Sequence, residues 1–150
     1  MFTVHAADVD VDAPVEAVFR HYDDGRTYPE WMSRAVEGEL LSAEPIAVGS
    51  RFRARFKGLG AVEWEVAERE PPRRLVHLGH APVGTMRHHL AFEPVGSGTR
   101  ISQRGEGELK PALRLLGPLL RPVLRRSMAK NWQATATELG RYLSDGGRGG

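Results

Sequence analysis

The chain has 150 residues, 41% hydrophobic and 27% charged, with 21 Lys and Arg against 19 Asp and Glu for a formal charge of +2. These proportions suit one domain with one core and exclude a disordered or fibrous chain, and so mild a charge balance does not point to nucleic acid. The absence of cysteine removes disulfides, zinc ribbons and thiol nucleophiles together; no stretch nears the run of about 18 apolar residues that spans a bilayer and the first residues do not read as a secretion signal, so the expected location is the cytoplasm.

Residues 2–11 read as a strand. Asp12 is placed to cap a helix whose first turn tolerates Pro14, and Val15, Val18, Phe19 and Tyr22 recur at i, i+3, i+4 and i+7 until "DDG" stops it. "TYPEWMS", residues 27–33, predicts a second short helix or turn. Strands follow at 36–43, 51–56, 62–70, 75–80, 85–94 and 99–109. "RFRARF" sets Phe52, Ala54 and Phe56 on one face, and "GSG" joins the last two strands as a hairpin. Sequential, turn-linked strands favour an antiparallel meander. Pro111, Gly117, Pro118 and Pro122 predict a broken start to a long helix ending near Leu143, with Leu120, Leu124, Met128, Trp132, Thr135 and Leu139 near one face. The expected organisation is a single domain over 1–143 and a disordered tail over 144–150.

Four of the six histidines fall within residues 77–90. Successive strand side chains face opposite ways, so His88 joins Met86, Leu90 and Phe92 inward while His89 faces solvent with Arg87, and His77 and His80 also split between faces. No metal site is expected from that spacing. His88 is a candidate polar group in a cavity or a hydrogen-bonded core histidine. Gly38, Ala54, Gly105 and Gly107 on the inward set either leave a cavity beneath the helix or are filled in by Met128, Trp132 and Phe92.

The segments "VDVDAPVEAVFRHYDDGRTYPEWM", "VGSRFRARF", "VEWEVAEREPPRRLV", "LAFEPVGSGTRIS" and "NWQATATELGRYL" resemble the polyketide cyclase/dehydrase branch of the START-like (SRPBCC) superfamily over nearly the whole chain. The resemblance implies an α+β helix-grip (START-like, Bet v 1-like) fold: a curved antiparallel sheet of about seven strands around a long C-terminal helix, with two short helices after the first strand. It further implies a cavity for a hydrophobic or aromatic small molecule. In aromatase/cyclases of this kind Tyr28 would stand at the pocket mouth, Arg69 would polarise a substrate carbonyl and Gln103 would point into the pocket. With His88, Arg69 and Gln103 form the candidate catalytic set. Strict alternation puts Arg69 on the face of Glu63 and Glu65 unless a bulge re-aims it. The candidate ligand-binding set is Tyr28, Trp31, Phe52, Phe56, Trp64, Met86, Leu90, Met128 and Trp132.

Two functions stand side by side: a cofactor-free polyketide cyclase or aromatase acting by positioning and acid-base chemistry, and a non-catalytic carrier of a lipid or other hydrophobic metabolite. The stretch "RLLGPLLRPVLRRSMAK", residues 114–130, is either a basic amphipathic surface for an acyl carrier protein or acidic lipids, or the solvated back of a core helix. No nucleic-acid partner is expected, and a monomer or a homodimer fits equally.

Overall fold

A computed structural model describes residues 1–146. Its order is β1 (Phe2–His5), β2 (Val9–Val11), α1 (Val15–Asp23), a 3-10 turn (Gly25–Thr27), α2 (Tyr28–Trp31), β3 (Ala35–Leu40), β4 (Arg51–Phe56), β5 (Gly60–Glu70), β6 (Arg74–Ala81), β7 (Gly84–Val95), β8 (Gly98–Leu109), a 3-10 helix (Pro111–Leu116) and α3 (Gly117–Ser144). The strands form one antiparallel sheet in the order β1-β8-β7-β6-β5-β4-β3, with β2 also pairing β8. This is the helix-grip arrangement. Helix α3 continues through Ser144, and Asp145 and Gly146 form a turn; of the tail expected over 144–150, residues 147–150 lie outside the described residues.

Period-two patterning dictates the sheet. In β4 Phe52 and Ala54 are buried while Arg51, Arg53 and Arg55 face solvent, and in β8 Ile101, Gln103, Gly105 and Gly107 point inward. Two irregularities decide where side chains go. The strand expected over 2–11 breaks in two: His5 faces Arg104 and Val9 faces Ile101, so three residues oppose two, and the extra one bends the strand. A second bulge lies between Val66 and Glu68 in β5, after which Arg69 faces the fully buried Leu75. That bulge turns Arg69 to the inner face.

Helix starts also differ from the expectation. Asp12 does not cap α1; Pro14 occupies the cap position, and its carbonyl accepts from Ala17 and Val18 N–H. α3 begins at Gly117 and runs through Pro122 rather than starting after it. Pro118 falls where N–H groups are unpaired in any helix, and the carbonyl that Pro122 cannot bond belongs to exposed Pro118, where water can reach it.

The core has two parts. The larger joins Val18, Phe19 and Tyr22 of α1, Tyr28 and Trp31 of α2, the sheet residues Phe52, Trp64, Leu75, Leu90 and Phe92, and Leu139 of α3. The smaller, at the other end of the sheet, joins Phe2, Val4, Leu109 and Trp132, with Leu113, Leu120, Leu124 and Met128 packed against it. No described helix is long and apolar enough to cross a membrane.

Candidate functional site

The two core clusters do not meet completely, and a cavity of about 240 Å³ separates them, lined by residues of both. Trp64 forms one wall: the Tyr28 and Phe52 rings stack on it, each 5.4 Å between centroids. Trp132 of α3 also lines the cavity and lies flat on His88 at 4.0 Å and 11°. β8 makes that contact possible. His88 faces Gly105 across the β7–β8 ladder, and a Cβ on Gly105 would sit 2.7 Å from Met86 Sδ and 2.8 Å from the Trp132 ring. Gly107 likewise makes room for Phe2 and Met86. The inward glycines are therefore occupied by neighbours, and the free volume lies beside them. The Gly38 position is filled by backbone, since Gly25 O would lie 2.2 Å from a Cβ there. Phe92 packs away from the cavity, against Phe19 and Tyr22.

The polar groups form a directed chain. Gln103 Nε2 donates to the Trp132 carbonyl at 3.0 Å, which commits Gln103 Oε1 as an acceptor; it pairs with His88 Nε2 at 3.0 Å. The proton of neutral His88 thus sits on Nε2, and Nδ1 keeps its lone pair. Burial, opposed by the Gln103 hydrogen bond and reinforced by His89, pushes the His88 pKa down to about 4. His77, directly opposite His88 on β6, is pushed to about 3 by burial and by His88. Both are neutral near pH 7. Among the described residues, three of the lining carry a buried polar atom without a protein partner: Tyr22 Oη, Trp64 Nε1 and His77 Nε2. Burial drives the Tyr22 phenol upward, so it stays a donor, while the Tyr28 hydroxyl is already spent on the Tyr22 carbonyl at 2.9 Å.

The opening is marked by lining residues that also reach solvent, Leu59 on the β4–β5 turn and Val83 on the β6–β7 turn. Arg34 bridges this rim, donating to Asn131 Oδ1 on α3 and to the Lys57 carbonyl, both at 3.0 Å.

Of the candidates, His88, Gln103, Tyr28, Phe56, Trp64, Met86, Leu90, Met128 and Trp132 line the cavity. Trp31 and Phe52 stand behind it: Trp31 packs edge-on against Tyr22 and Tyr28, and Phe52 backs Trp64. Arg69 lies elsewhere. It holds Asp23, the last residue of α1, through two 2.9 Å hydrogen bonds, sits over the Phe19 ring and borders a shallow cleft with Asp23, Arg26 and Glu44. The convergence of Arg69 with His88 and Gln103 is not formed. His89, expected in solvent, pairs with Glu106 at 2.8 Å on the outer face and is mostly covered. Sequence reasoning passed over Tyr22, Arg34, Asn131 and His77 as site residues. For His77 a signal existed: a two-residue turn at Pro82 and Val83 fixes the ladder that sets it opposite His88.

The family described as polyketide cyclase / dehydrase and lipid transport matches residues 1–140. Among solved structures, TTHA0849 from Thermus thermophilus is similar with a TM-score of 0.73 and 23% identity, covering 96% of this chain and 99% of that one. A START superfamily protein from Mycobacterium smegmatis gives 0.70 and 16%, covering 93% and 99%, and Ara h 8.0201 gives 0.73 and 11%, covering 95% and 97%. At these identities the likeness is one of fold. No curated protein matches the sequence.

Proposed function

The chain belongs to the polyketide cyclase / dehydrase and lipid transport family, and from that premise we propose that it takes a compact, largely planar hydrophobic molecule bearing carbonyl or hydroxyl groups into the cavity and closes a ring on it, without a cofactor. The size of the cavity supports the compact ligand. An apolar cavity of about 150 Å³ holds benzene and drug-sized pockets run to roughly 300–1,000 Å³, so 240 Å³ suits one or two fused rings better than a two-chain lipid.

The observation that carries the reading is the Trp132–Gln103–His88 chain in a largely apolar space. His88 Nδ1 accepts the proton from a carbon flanked by carbonyls, and the Gln103 carbonyl, bonded to Nε2–H, steadies the imidazolium that forms. The enolate carbon attacks a second carbonyl of the same molecule, the new alkoxide takes the proton back from Nδ1, and the histidine ends neutral. Tyr22 Oη–H and Trp64 Nε1–H are the donors available to the developing oxyanion. The walls of Trp64 and Trp132 hold the chain folded and keep water away. Arg69 has no part in this chemistry; through Asp23 it positions α1.

The test is conversion of a short poly-β-ketone thioester, followed by mass spectrometry of the products. The protein should give one cyclised product, and His88→Phe, which keeps the stack on Trp132, should lower the rate by about 100-fold or more while still binding the substrate. Product formation no faster than in buffer would end the cyclase reading. One observation favours a second reading, a carrier: the lining is largely apolar and both of its histidines are neutral near pH 7, pushed far below neutrality by burial. A molecule recovered bound and unchanged after long incubation, insensitive to His88→Phe, would select it.

A further inference from the structure

We infer that the 3-10 helix Pro111–Leu116 and the first turns of α3 form a docking surface for an anionic lipid bilayer, placed beside the mouth of the cavity. The surface stands apart from the chemistry inside the cavity.

Residues 110–130 contain Lys110, Arg114, Arg121, Arg125, Arg126 and Lys130 and no acidic residue, so of the chain's 21 basic and 19 acidic residues the remainder keeps 15 basic against 19 acidic and the excess positive charge is concentrated here. The same stretch holds an exposed apolar cluster: Leu115 is 94% exposed, Leu119 73%, Val123 63% and Leu116 48%. These are not the leucines that packing requires. Leu120, Leu124 and Met128 fill that role against Phe2, Val4 and Trp132, so this half of the helix is apolar on two sides. Leu119, Val123, Arg126 and Lys130 follow at i, i+4, i+7 and i+11, an exposed stripe that passes from apolar to cationic. Apolar side chains that enter the acyl boundary, ringed by cations that meet lipid phosphates, are the pattern of an in-plane membrane segment.

A protein partner fits less well. Hot spots favour Trp, Tyr and Arg and under-use Leu and Val, and residues 110–130 contain no aromatic side chain. Continuity with the cavity gives the surface its use. Leu124 and Met128 line the cavity from this segment and Leu109 from the end of β8 just before it, and Lys110 N–H bonds the carbonyl of Val83 at the rim. A bilayer seated there faces the opening, so an apolar ligand passes between membrane and cavity with little exposure to water.

The test is flotation of the full chain with phosphatidylcholine vesicles and with vesicles containing phosphatidylglycerol, at low and at physiological salt. The protein should float with the anionic vesicles only, and less at higher salt. Leu115→Ser/Leu119→Ser/Val123→Ser and, separately, Arg114→Gln/Arg126→Gln should each weaken binding about tenfold or more with unchanged melting temperature, since these side chains are exposed. Arg125 is left intact because its Nε bonds the Thr3 carbonyl. No flotation with anionic vesicles overturns the inference, as does flotation that the serine variant retains. A dimer in sedimentation that the serine variant dissociates, without vesicle binding, assigns the patch to a second copy. Binding to an acidic acyl carrier protein lost in the same variant, without vesicle binding, assigns it to a protein; either result overturns the bilayer.

Discussion

Acidification from neutral to about pH 5 should destabilise this protein through two histidines. His77 and His88 have native pKa values of about 3 and about 4, against about 6.5 in the unfolded chain. Because the native values are depressed, the unfolded state binds protons first as pH falls. The stabilisation is complete above the unfolded value and is lost progressively below it. Between pH 6.5 and pH 5 each histidine costs 1.36 kcal/mol per unit over 1.5 units, about 2 kcal/mol, or about 4 kcal/mol for both. That is a large part of a typical stability of about 5–15 kcal/mol. Carboxylates do not obscure the window: Glu68 beside Arg74 and Glu106 beside His89 are held below their usual range, so their contributions fade only below about pH 4.5. Urea unfolding at half-unit steps reads the effect as a falling midpoint at constant m-value, and His77→Gln/His88→Gln should remove most of the slope. A midpoint that stays level to pH 5, or a slope that survives in the double variant, would refute the neutral buried pair.

Gln103→Leu strands the Trp132 carbonyl and His88 Nε2–H and should destabilise by about 1–3 kcal/mol. It should also release the tautomer, so nitrogen NMR of His88 should show a mixture where the parent shows Nε2–H alone. Arg69→Met leaves the nearly buried Asp23 carboxylate alone and should cost about 2 kcal/mol, less than the roughly 3–5 of a fully buried pair because Arg69 is 25% exposed. Ligand affinity, read by titration calorimetry, should change by less than about twofold, and a large loss would place Arg69 at the ligand after all.

What the sequence made legible was what is local. Alternation in "RFRARF" reports a half-buried strand because side-chain direction has period two, and it located β4 to the residue. Arg69 was beyond that logic: a bulge at Ala67, stabilised by pairing with β6, inverts the alternation after it, and the Asp23 partner lies 46 positions away. His88 and Gln103 were legible as inward residues, yet the bond that turns the Gln103 carbonyl toward His88, from its Nε2 to the Trp132 carbonyl, depends on α3 approaching Gly105. Small residues in a strand say that something comes close and leave open whether it is space or a neighbour. Pro122 misled for a similar reason: it removes one hydrogen bond and crowds one carbonyl near the start of α3, and the helix continues past it to Ser144.

The pairing of β1 with β8 also governs how the molecule can assemble. Phe2 faces Gly107 and His5 faces Arg104, so the first strand waits for nearly the last before it has a partner. On a ribosome the meander β3 to β8 can form hairpin by hairpin while the first residues remain unpaired, and α3 arrives last of all. Such long-range closure makes for slow folding. Until it occurs, the inner face that becomes the cavity is an open apolar surface, so the nascent chain is most prone to aggregation in the interval before its C-terminal helix is made.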